Sequence, residues 1–562
     1  MNRFNAIAGK VLTIAKIKKC KDCVKIGTLT SSAYLLLHNI RQQIVATLEY
    51  EKHMMTLKSL QAFKSVLAAS VLLFILLGCG SSDEGSGTGY VKLYNLSKDS
   101  PSIYLTVDEN LTENNDDDDH YEQTFSGVAY GSAHSNISLT SKNYYYYQLA
   151  WQDDDSLATD DLTVIYEDTL ALVEDTIHMI VLSDSVLSPQ VMVHSFPVID
   201  DDDDTTNDLF NLRVLNMHSN QQAVDFYLSK ENESFNEAVL VGQFDYQQLS
   251  DNQKLDQDDY IFYVTTAGSD EVLFRSSSIA FAYSSQNIMV VRDNMGAGSS
   301  PYVLDKISDS AVIEYVDAEA EAQFRAYNAV ANHEQLTSYQ EAFALHINGV
   351  GDSPAITFLP YGEISNALLL ASGDYSVDLT TIEENTPLLS NHLLSLVENT
   401  NKTLFFYAEQ EYVDADNDGN IDENGDGIID EIEVNLFSLM VENSLLSSIY
   451  EHEIEIVNLI QSDDFTQVAV YFVRQDETIS SATYYRELSY KNTSSIFLKN
   501  NSYQVFVIAQ DNGSSIILNT FELILNEQSK EQFLVLESSD SSPTGYKTTM
   551  FKQTPEQKEV AE

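Results

Sequence analysis

The sequence predicts an all-β chain built as a tandem array of antiparallel β-sandwich domains. Three observations carry this. The 562 residues include 32 Tyr and 25 Phe but only 1 Trp and 9 Pro, and aromatic and β-branched residues favour strands. Apolar and polar positions alternate in short runs between polar turns, with no long amphipathic helical pattern. A strand-like phrase with an Asn near its end also returns four times along the chain.

The phrases are Tyr90-Val-Lys-Leu-Tyr-Asn95-Leu, Leu212-Arg-Val-Leu-Asn216-Met, Phe324-Arg-Ala-Tyr-Asn328-Ala and Ile454-Glu-Ile-Val-Asn458-Leu, with Asn-to-Asn spacings of 121, 112 and 130 residues. Each reads as a half-buried strand, and the Asn is placed to close a turn by bonding the backbone. Further phrases follow in a constant order. A second strand is Ile103–Val107, Ala223–Leu228, Phe343–Ile347 and Val468–Phe472. A third element is Val128–Gly131, Val241–Phe244, Leu359–Gly362 and Leu488–Tyr490. A fourth carries Tyr144, Tyr260, Tyr375 or Tyr503 near its start, and apolar strands such as Ile288–Val291 and Phe533–Leu536 close the units.

Units of this size can each bury a core, so the expectation is four beads: 90–198, 210–309, 322–445 and 452–552. An acidic linker, 199–209, contains five consecutive aspartates, Asp200 to Asp204, whose self-repulsion should keep it extended. Residues 553–562 form a tail.

Ala223-Val-Asp225-Phe-Tyr227 after Arg213-Val-Leu-Asn216, together with Gly373-Asp-Tyr375-Ser-Val377, resembles the domain of unknown function 4397, an Ig-like repeat of prokaryotic surface proteins. The second and third units carry the resemblance; the first has Asn95 but no A-V-D. The resemblance implies an Ig-like fold, surface exposure and nothing catalytic.

Ahead of the repeats, Lys58 and Lys64 precede a nearly continuous apolar run, Val66 to Leu77. The run is shorter than the ~20 residues of a membrane-spanning helix and suits a signal peptide over 54–78. It ends in Leu76-Leu77-Gly78-Cys79, which resembles the lipobox of bacterial lipoproteins. The resemblance implies that Cys79 is acylated and becomes the mature N-terminus, and Gly80 at the next position implies the outer membrane, on a face left open. Each buried acyl methylene adds about 0.8 kcal/mol to such an anchor. The Gly/Ser-rich segment in 79–89 reads as a flexible tether. Residues 1–53 are basic and precede Met54-Met55, so they read either as a mis-assigned start, with translation beginning at one of these, or as a disordered segment; Cys20 and Cys23 form a lone C-x-x-C with no second half.

Residues 1–78 hold 11 of the 30 Lys and Arg and 3 of the 86 Asp and Glu, leaving 19 basic and 83 acidic residues and a formal net charge of −64 beyond them. Such a chain repels phosphate backbones, so nucleic acid is not an expected partner. The chain has no cysteine after Cys79, hence no disulfide and no thiol nucleophile there.

One motif points to a ligand. Residues 414–433 contain Asp414, Asp416, Asp418, Asn420 and Asp422, then Asn424, Asp426, Ile428, Asp430 and Glu433. Calcium takes six to eight oxygens, and alternate carboxylates on a tight loop converge on it. The loop from Asp422 supplies Asp422, Asn424, Asp426, a turn glycine at Gly427, the Ile428 carbonyl, Asp430 and Glu433. The loop from Asp414 has Gly425 where the final Glu is wanted, and shares Asp422. This tandem resembles EF-hand-type loops of dockerins and thrombospondin type 3 repeats, and calcium is the expected cofactor. Its flanks, Thr403–Tyr407 and Val434–Leu439, read as strands.

There is no G-x-S-x-G elbow, phosphate loop or dinucleotide fingerprint. The expectation is a non-enzymatic envelope lipoprotein with a structural, adhesive or ligand-binding role and a protein or glycan partner. The alternatives are a carbohydrate-binding accessory protein, with Tyr144 to Tyr147 offering aromatic faces, and a cryptic hydrolase.

Overall fold

The computed structural model describes residues 87–109, 121–141, 144–152, 161–200, 202–351, 353–414, 420–422, 429, 431–511, 514–539 and 541–553. All belong to one compact unit, Ser86–Glu562.

The first repeat folds as β1 (Thr88–Asn95), β2 (Tyr104–Asp108), β3 (Glu122–Thr124), β4 (Ile137–Thr140), β5 (Tyr144–Trp151), β6 (Thr163–Ala171), β7 (Thr176–Ser183) and β8 (Gln190–Pro197). One sheet has the order β4-β1-β7-β8, the other β3-β2-β5-β6. All neighbours are antiparallel except β1 and β7, which run parallel. A parallel pair needs a crossover, and here the chain visits the opposite sheet between them. The same order recurs three times. Leu209–Asn216, Glu321–Asn328 and Glu451–Asn458 take the place of β1; Gln286–Asp293, Asn401–Tyr412 and Gln532–Ser538 take that of β7. The eight sheets of the described residues therefore make four sandwiches, and the fold is all-β. The second gains an edge strand, Val312–Tyr315, so it extends past residue 309.

The recurring Asn is a buried clamp. Asn95, Asn216, Asn328 and Asn458 accept from the backbone N–H two residues on, at 3.0, 3.2, 2.9 and 3.1 Å. Their Nδ2 groups donate to the carbonyls of Val128, Phe244, Leu359 and Leu488 at 3.0, 3.1, 2.9 and 3.2 Å. Each thus ties the end of the first strand to the third element, on the opposite sheet's side of the core. A second device is a tyrosine hydroxyl donating back along the chain: Tyr260 to the Asp256 carbonyl, Tyr375 to Ala371 and Tyr503 to Lys499, at 2.8, 2.7 and 2.9 Å. In the first sandwich Tyr145, not Tyr144, does this, donating to Thr140 at 3.3 Å. Tyr144 and Tyr146 face outward and Tyr145 and Tyr147 inward, as strand alternation requires.

Each sandwich has its own core, but the four are not separate beads. The β1/β7 sheets are buried on both faces. In β7, Ile180 and Leu182 enter the first core, while Ile177, Met179 and Val181 pack outward against Leu215, Met217, Ile288, Val290 and Ile307 of the second sandwich. The third and fourth sandwiches meet in the same way through Tyr327, Phe405 and Tyr407 against Val457, Leu459, Phe533 and Val535. Covering both faces of these sheets removes apolar area that isolated beads would expose to water.

Polar contacts join the two pairs. Asn294 and Asn399 exchange amide hydrogen bonds at 2.8 and 3.0 Å between the second and third sandwiches. Trp151 of the first stacks on Tyr450, between the third and fourth, with ring centroids 4.1 Å apart. The acidic linker is also not extended. Asp202–Thr206 forms one helical turn, and buried Asp204 accepts from Lys254 Nζ at 2.6 Å and Asn211 Nδ2 at 2.7 Å, so a cation and an amide offset the repulsion.

Candidate functional site

Of the residues singled out in the sequence, Cys79 lies outside the described residues, as do Asp416, Asp418, Asn424, Asp426, Ile428 and Asp430 of the acidic loop. The loop's surroundings are described. Asn401–Tyr412 and Ile432–Glu442 form an antiparallel pair, and the acidic segment lies between them in sequence. Asn420 and Asp422 form a small turn, Asn420 Nδ2 donating to the Asp422 carbonyl at 2.8 Å and Asp422 N–H to Asn420 Oδ1 at 3.3 Å. Glu433 lies in the second strand opposite Glu411, and its Oε1 accepts from Asn435 at 3.1 Å. Asp414 lies two residues beyond the end of the first strand. Among the described residues no group of three or more His, Cys, Asp or Glu is placed to hold a metal ion.

This strand pair reaches the fourth sandwich. The Gln410 backbone N–H donates to Gln461 Oε1 at 3.0 Å, Gln461 Nε2 donates to the Gln410 carbonyl at 2.7 Å, and Tyr412 donates to Asp463 at 2.9 Å. These contacts form one wall of a cleft of about 250 Å³ between the third and fourth sandwiches. A second cleft, of about 200 Å³, lies between the first and second. The two occupy equivalent places. The residue after each clamp Asn lines them: Leu96 and Met217 in one, Ala329 and Leu459 in the other. So does the residue after each clamp's parallel-strand neighbour: Ser183 and Arg292, then Tyr407 and Glu537.

At the first cleft, Arg292 makes a bidentate pair with Asp305, Nε at 2.7 Å and Nη2 at 3.1 Å, and also contacts Glu314. Its guanidinium lies 5.2 Å over Tyr130, and Tyr94 donates to Asp305 at 2.6 Å. Burial pushes the Asp305 carboxyl up, against the pull of Arg292. At the second cleft, the floor is Glu537. Its Oε1 accepts from Tyr327 and Thr549, both at 2.8 Å, and Lys547 Nζ lies 3.3 Å away. Burial raises this carboxyl too, opposed first by Lys547. Tyr361, equivalent to Tyr130, lies 3.8 Å beneath Lys547 Nζ and donates to the Ser538 carbonyl at 2.7 Å.

A cationic staple repeats as well: Lys92 donates to the Ser308 and Asp309 carbonyls, and Arg325, at the same place in its strand, to those of Lys552 and Gln553. Sequence reasoning did not single out these residues. The available signal was a basic residue three before the clamp Asn in the first three repeats, with Glu455 in the fourth.

Among the described residues no helix is long and apolar enough to cross a membrane. No protein-family model and no curated protein sequence matches the chain. Solved structures give distant similarities. The TIE protein of Bacillus anthracis aligns at 9% identity over 82% of this chain and 76% of its own, with a TM-score of 0.13. The major pilin subunit of Bacillus cereus aligns at 8% identity over 58% and 99%, with a TM-score of 0.12. The pilus adhesin SpaC of Lactobacillus rhamnosus GG aligns at 9% identity over 56% and 39%, with a TM-score of 0.10. At these scores the likeness assigns no function to this chain.

Proposed function

We propose that this chain is a non-enzymatic lipoprotein of the bacterial cell envelope, anchored through Cys79 to the outer membrane, that presents a compact four-sandwich body as a structural or adhesive element. The observation that carries the reading is the pairing of the sandwiches. Their apolar outer sheets are spent on one another, and an acidic surface is left to water, which suits a scaffold held away from a membrane by the Gly/Ser segment after Cys79. Cys79→Ser tests the anchor. The variant should lose incorporation of labelled palmitate and leave the membrane fraction; continued labelling would remove the lipid anchor from the reading. Protease treatment of intact cells then distinguishes a surface-facing body from a periplasmic one.

A carbohydrate-binding role is the second reading. It is favoured by Tyr144 and Tyr146, which lie on the outer face of β5 with 71% and 37% of their surface exposed. Binding on a glycan array that is lost on Tyr144→Ala supports it, and a blank array removes it.

A further inference from the structure

The equivalent clefts differ in how their floors are completed. In the first, the floor residue is a cation, and Asp305 and Glu314 satisfy it from within the protein. In the second, the floor residue is Glu537, 2% exposed, and every partner it has converges on Oε1. Glu537 Oε2 is buried with no hydrogen-bond partner among the described residues. Buried carboxylate oxygens are rarely left in this state, because the lost hydration is not replaced. Lys547 is already committed, to Oε1 on one side and to the Tyr361 ring on the other.

We propose that the cleft between the third and fourth sandwiches binds an aliphatic primary ammonium group, with Glu537 as its acceptor. Its lining has two carboxylates, Glu537 and Asp463, one histidine, His333, and neither Lys nor Arg, whereas in the first cleft Lys98 and Arg292 stand beside Asp99, Asp184 and Asp293. A carboxylate in a partly desolvated cleft takes a charged donor in preference to a neutral one. Tyr407 and Tyr412 line the same space, and aromatic faces attract cations. The rim is preorganised, because Gln410, Gln461, Tyr412 and Asp463 already bond one another across the two sandwiches. At about 250 Å³ the cleft is smaller than the ~300–1,000 Å³ of drug-sized sites and matches a group the size of a lysine side chain or a short diamine. The inference does not depend on lipid anchoring.

Calorimetric titration of the full chain with cadaverine, and in parallel with N-acetylglucosamine, tests it. Cadaverine should bind at one saturable site, and the neutral sugar should not. Glu537→Gln keeps an oxygen for Tyr327 and Thr549 and replaces the orphan acceptor by a donor, so it should weaken cadaverine at least tenfold. Glu527→Gln, the same charge change on an exposed turn, should leave binding intact and so control for general attraction to an acidic protein. If Glu537→Gln lowers the melting temperature, Asp463→Asn serves instead and should weaken binding several-fold. The proposal is overturned by no saturable cadaverine binding at millimolar concentration, by equal weakening in Glu527→Gln, by sugar binding in place of the amine, or by a crystal structure with a lone ordered water on Glu537 Oε2 in the presence of cadaverine.

Discussion

The Tyr94 hydroxyl donates to Asp305 Oδ2 at 2.6 Å across the face that joins the first two sandwiches. The tyrosine at the same place in the third sandwich, Tyr327, donates to Glu537 across the other pair. Both hydroxyls precede a clamp Asn, and both reach a buried acid of the partner sandwich. The acids come from different strands: Asp305 from Tyr302–Ile307, Glu537 from the parallel strand Gln532–Ser538. The place held by Glu537 belongs to Arg292 in the first pair. The repeated element is therefore a pair of sandwiches with a polar hub at the same place, built on Arg292 in one pair and on Glu537 in the other, with Thr549 where the first pair has Asp305.

The clamp predicts a local stability cost. Asn216→Ala removes the acceptor for His218 N–H and the donor to the Gln222 and Phe244 carbonyls, with the first and last of these contacts buried. Unsatisfied buried groups cost about 1–3 kcal/mol each, so a loss of roughly 2–4 kcal/mol is expected in denaturant unfolding. Asn216→Asp keeps the acceptor for His218 N–H but turns a buried carboxylate oxygen onto the two carbonyls, so it should not rescue the loss.

Pairing predicts that a sandwich cut from its partner is weakened. A fragment of residues 208–316 would expose Leu215, Met217, Ile288, Val290 and Ile307, and each large apolar side chain contributes about 1.5–3 kcal/mol on full burial. A fragment of residues 87–316 should melt higher, in one transition, and bind less of a hydrophobic dye. Equal melting temperatures would restore the bead description.

Trp151 is the only tryptophan, so its emission reports one contact. It is 4% exposed and stacks on Tyr450. Tyr450→Ala should shift its emission to longer wavelength by admitting water. An unchanged spectrum would mean that the segment joining the third and fourth sandwiches does not cover the first in solution.

Buried acids set the response to pH. Burial pushes the Glu531 carboxyl up to about 7, and Glu537 and Asp305 move the same way for the same reason. An acid with a raised folded pKa binds more protons folded than unfolded, so stability falls as pH rises through the window from its ordinary value of 4.5 to about 7. The melting temperature should therefore climb on acidification across this window. Glu531→Gln should flatten the profile, removing at most about 3 kcal/mol of pH-dependent stability.

Much of the architecture was legible, for identifiable reasons. Asn95, Asn216, Asn328 and Asn458 end alternating runs, and a short amide at a strand end has few roles but to bond the backbone. The pairing left its mark in Ile288–Val291 and Phe533–Leu536, which are continuous apolar runs and not alternating ones. Such a run signals burial on both faces but does not say against what. Four consecutive tyrosines hid which one turns inward, because a one-residue slip exchanges the faces. Asp204 meets Lys254, 50 residues away, which no local charge pattern reveals. Glu537 sits in an apolar strand with no neighbouring signal, and its role depends wholly on the sandwich that faces it.

The last prediction concerns the acidic segment. Asp414, Asp416, Asp418, Asp422, Asp426, Asp430 and Glu433 put like charges on one short stretch of sequence between two strands, Asn401–Tyr412 and Ile432–Glu442, that also hold the fourth sandwich through Gln410 and Tyr412, and without metal such charges should repel. Calcium would replace that repulsion with coordination. At a hundredfold excess over its dissociation constant, a ligand that binds only the folded state adds about 2.7 kcal/mol, and extracellular calcium modules commonly bind at about 10⁻⁴ to 10⁻³ M. Millimolar calcium should therefore raise the melting temperature of the full chain relative to chelator. Magnesium should do so poorly, since it demands a small, rigid octahedron. Asp426→Ala should abolish most of the shift by removing a ligand from the better loop. Because this strand pair bridges the third and fourth sandwiches, calcium should also slow hydrogen exchange at Gln410 and Asp463 while leaving the clamp at Asn216 unchanged. Calorimetry that detects no calcium binding at several millimolar would leave the segment an acidic spacer, and the bridge to Gln461 and Asp463 would then owe nothing to metal.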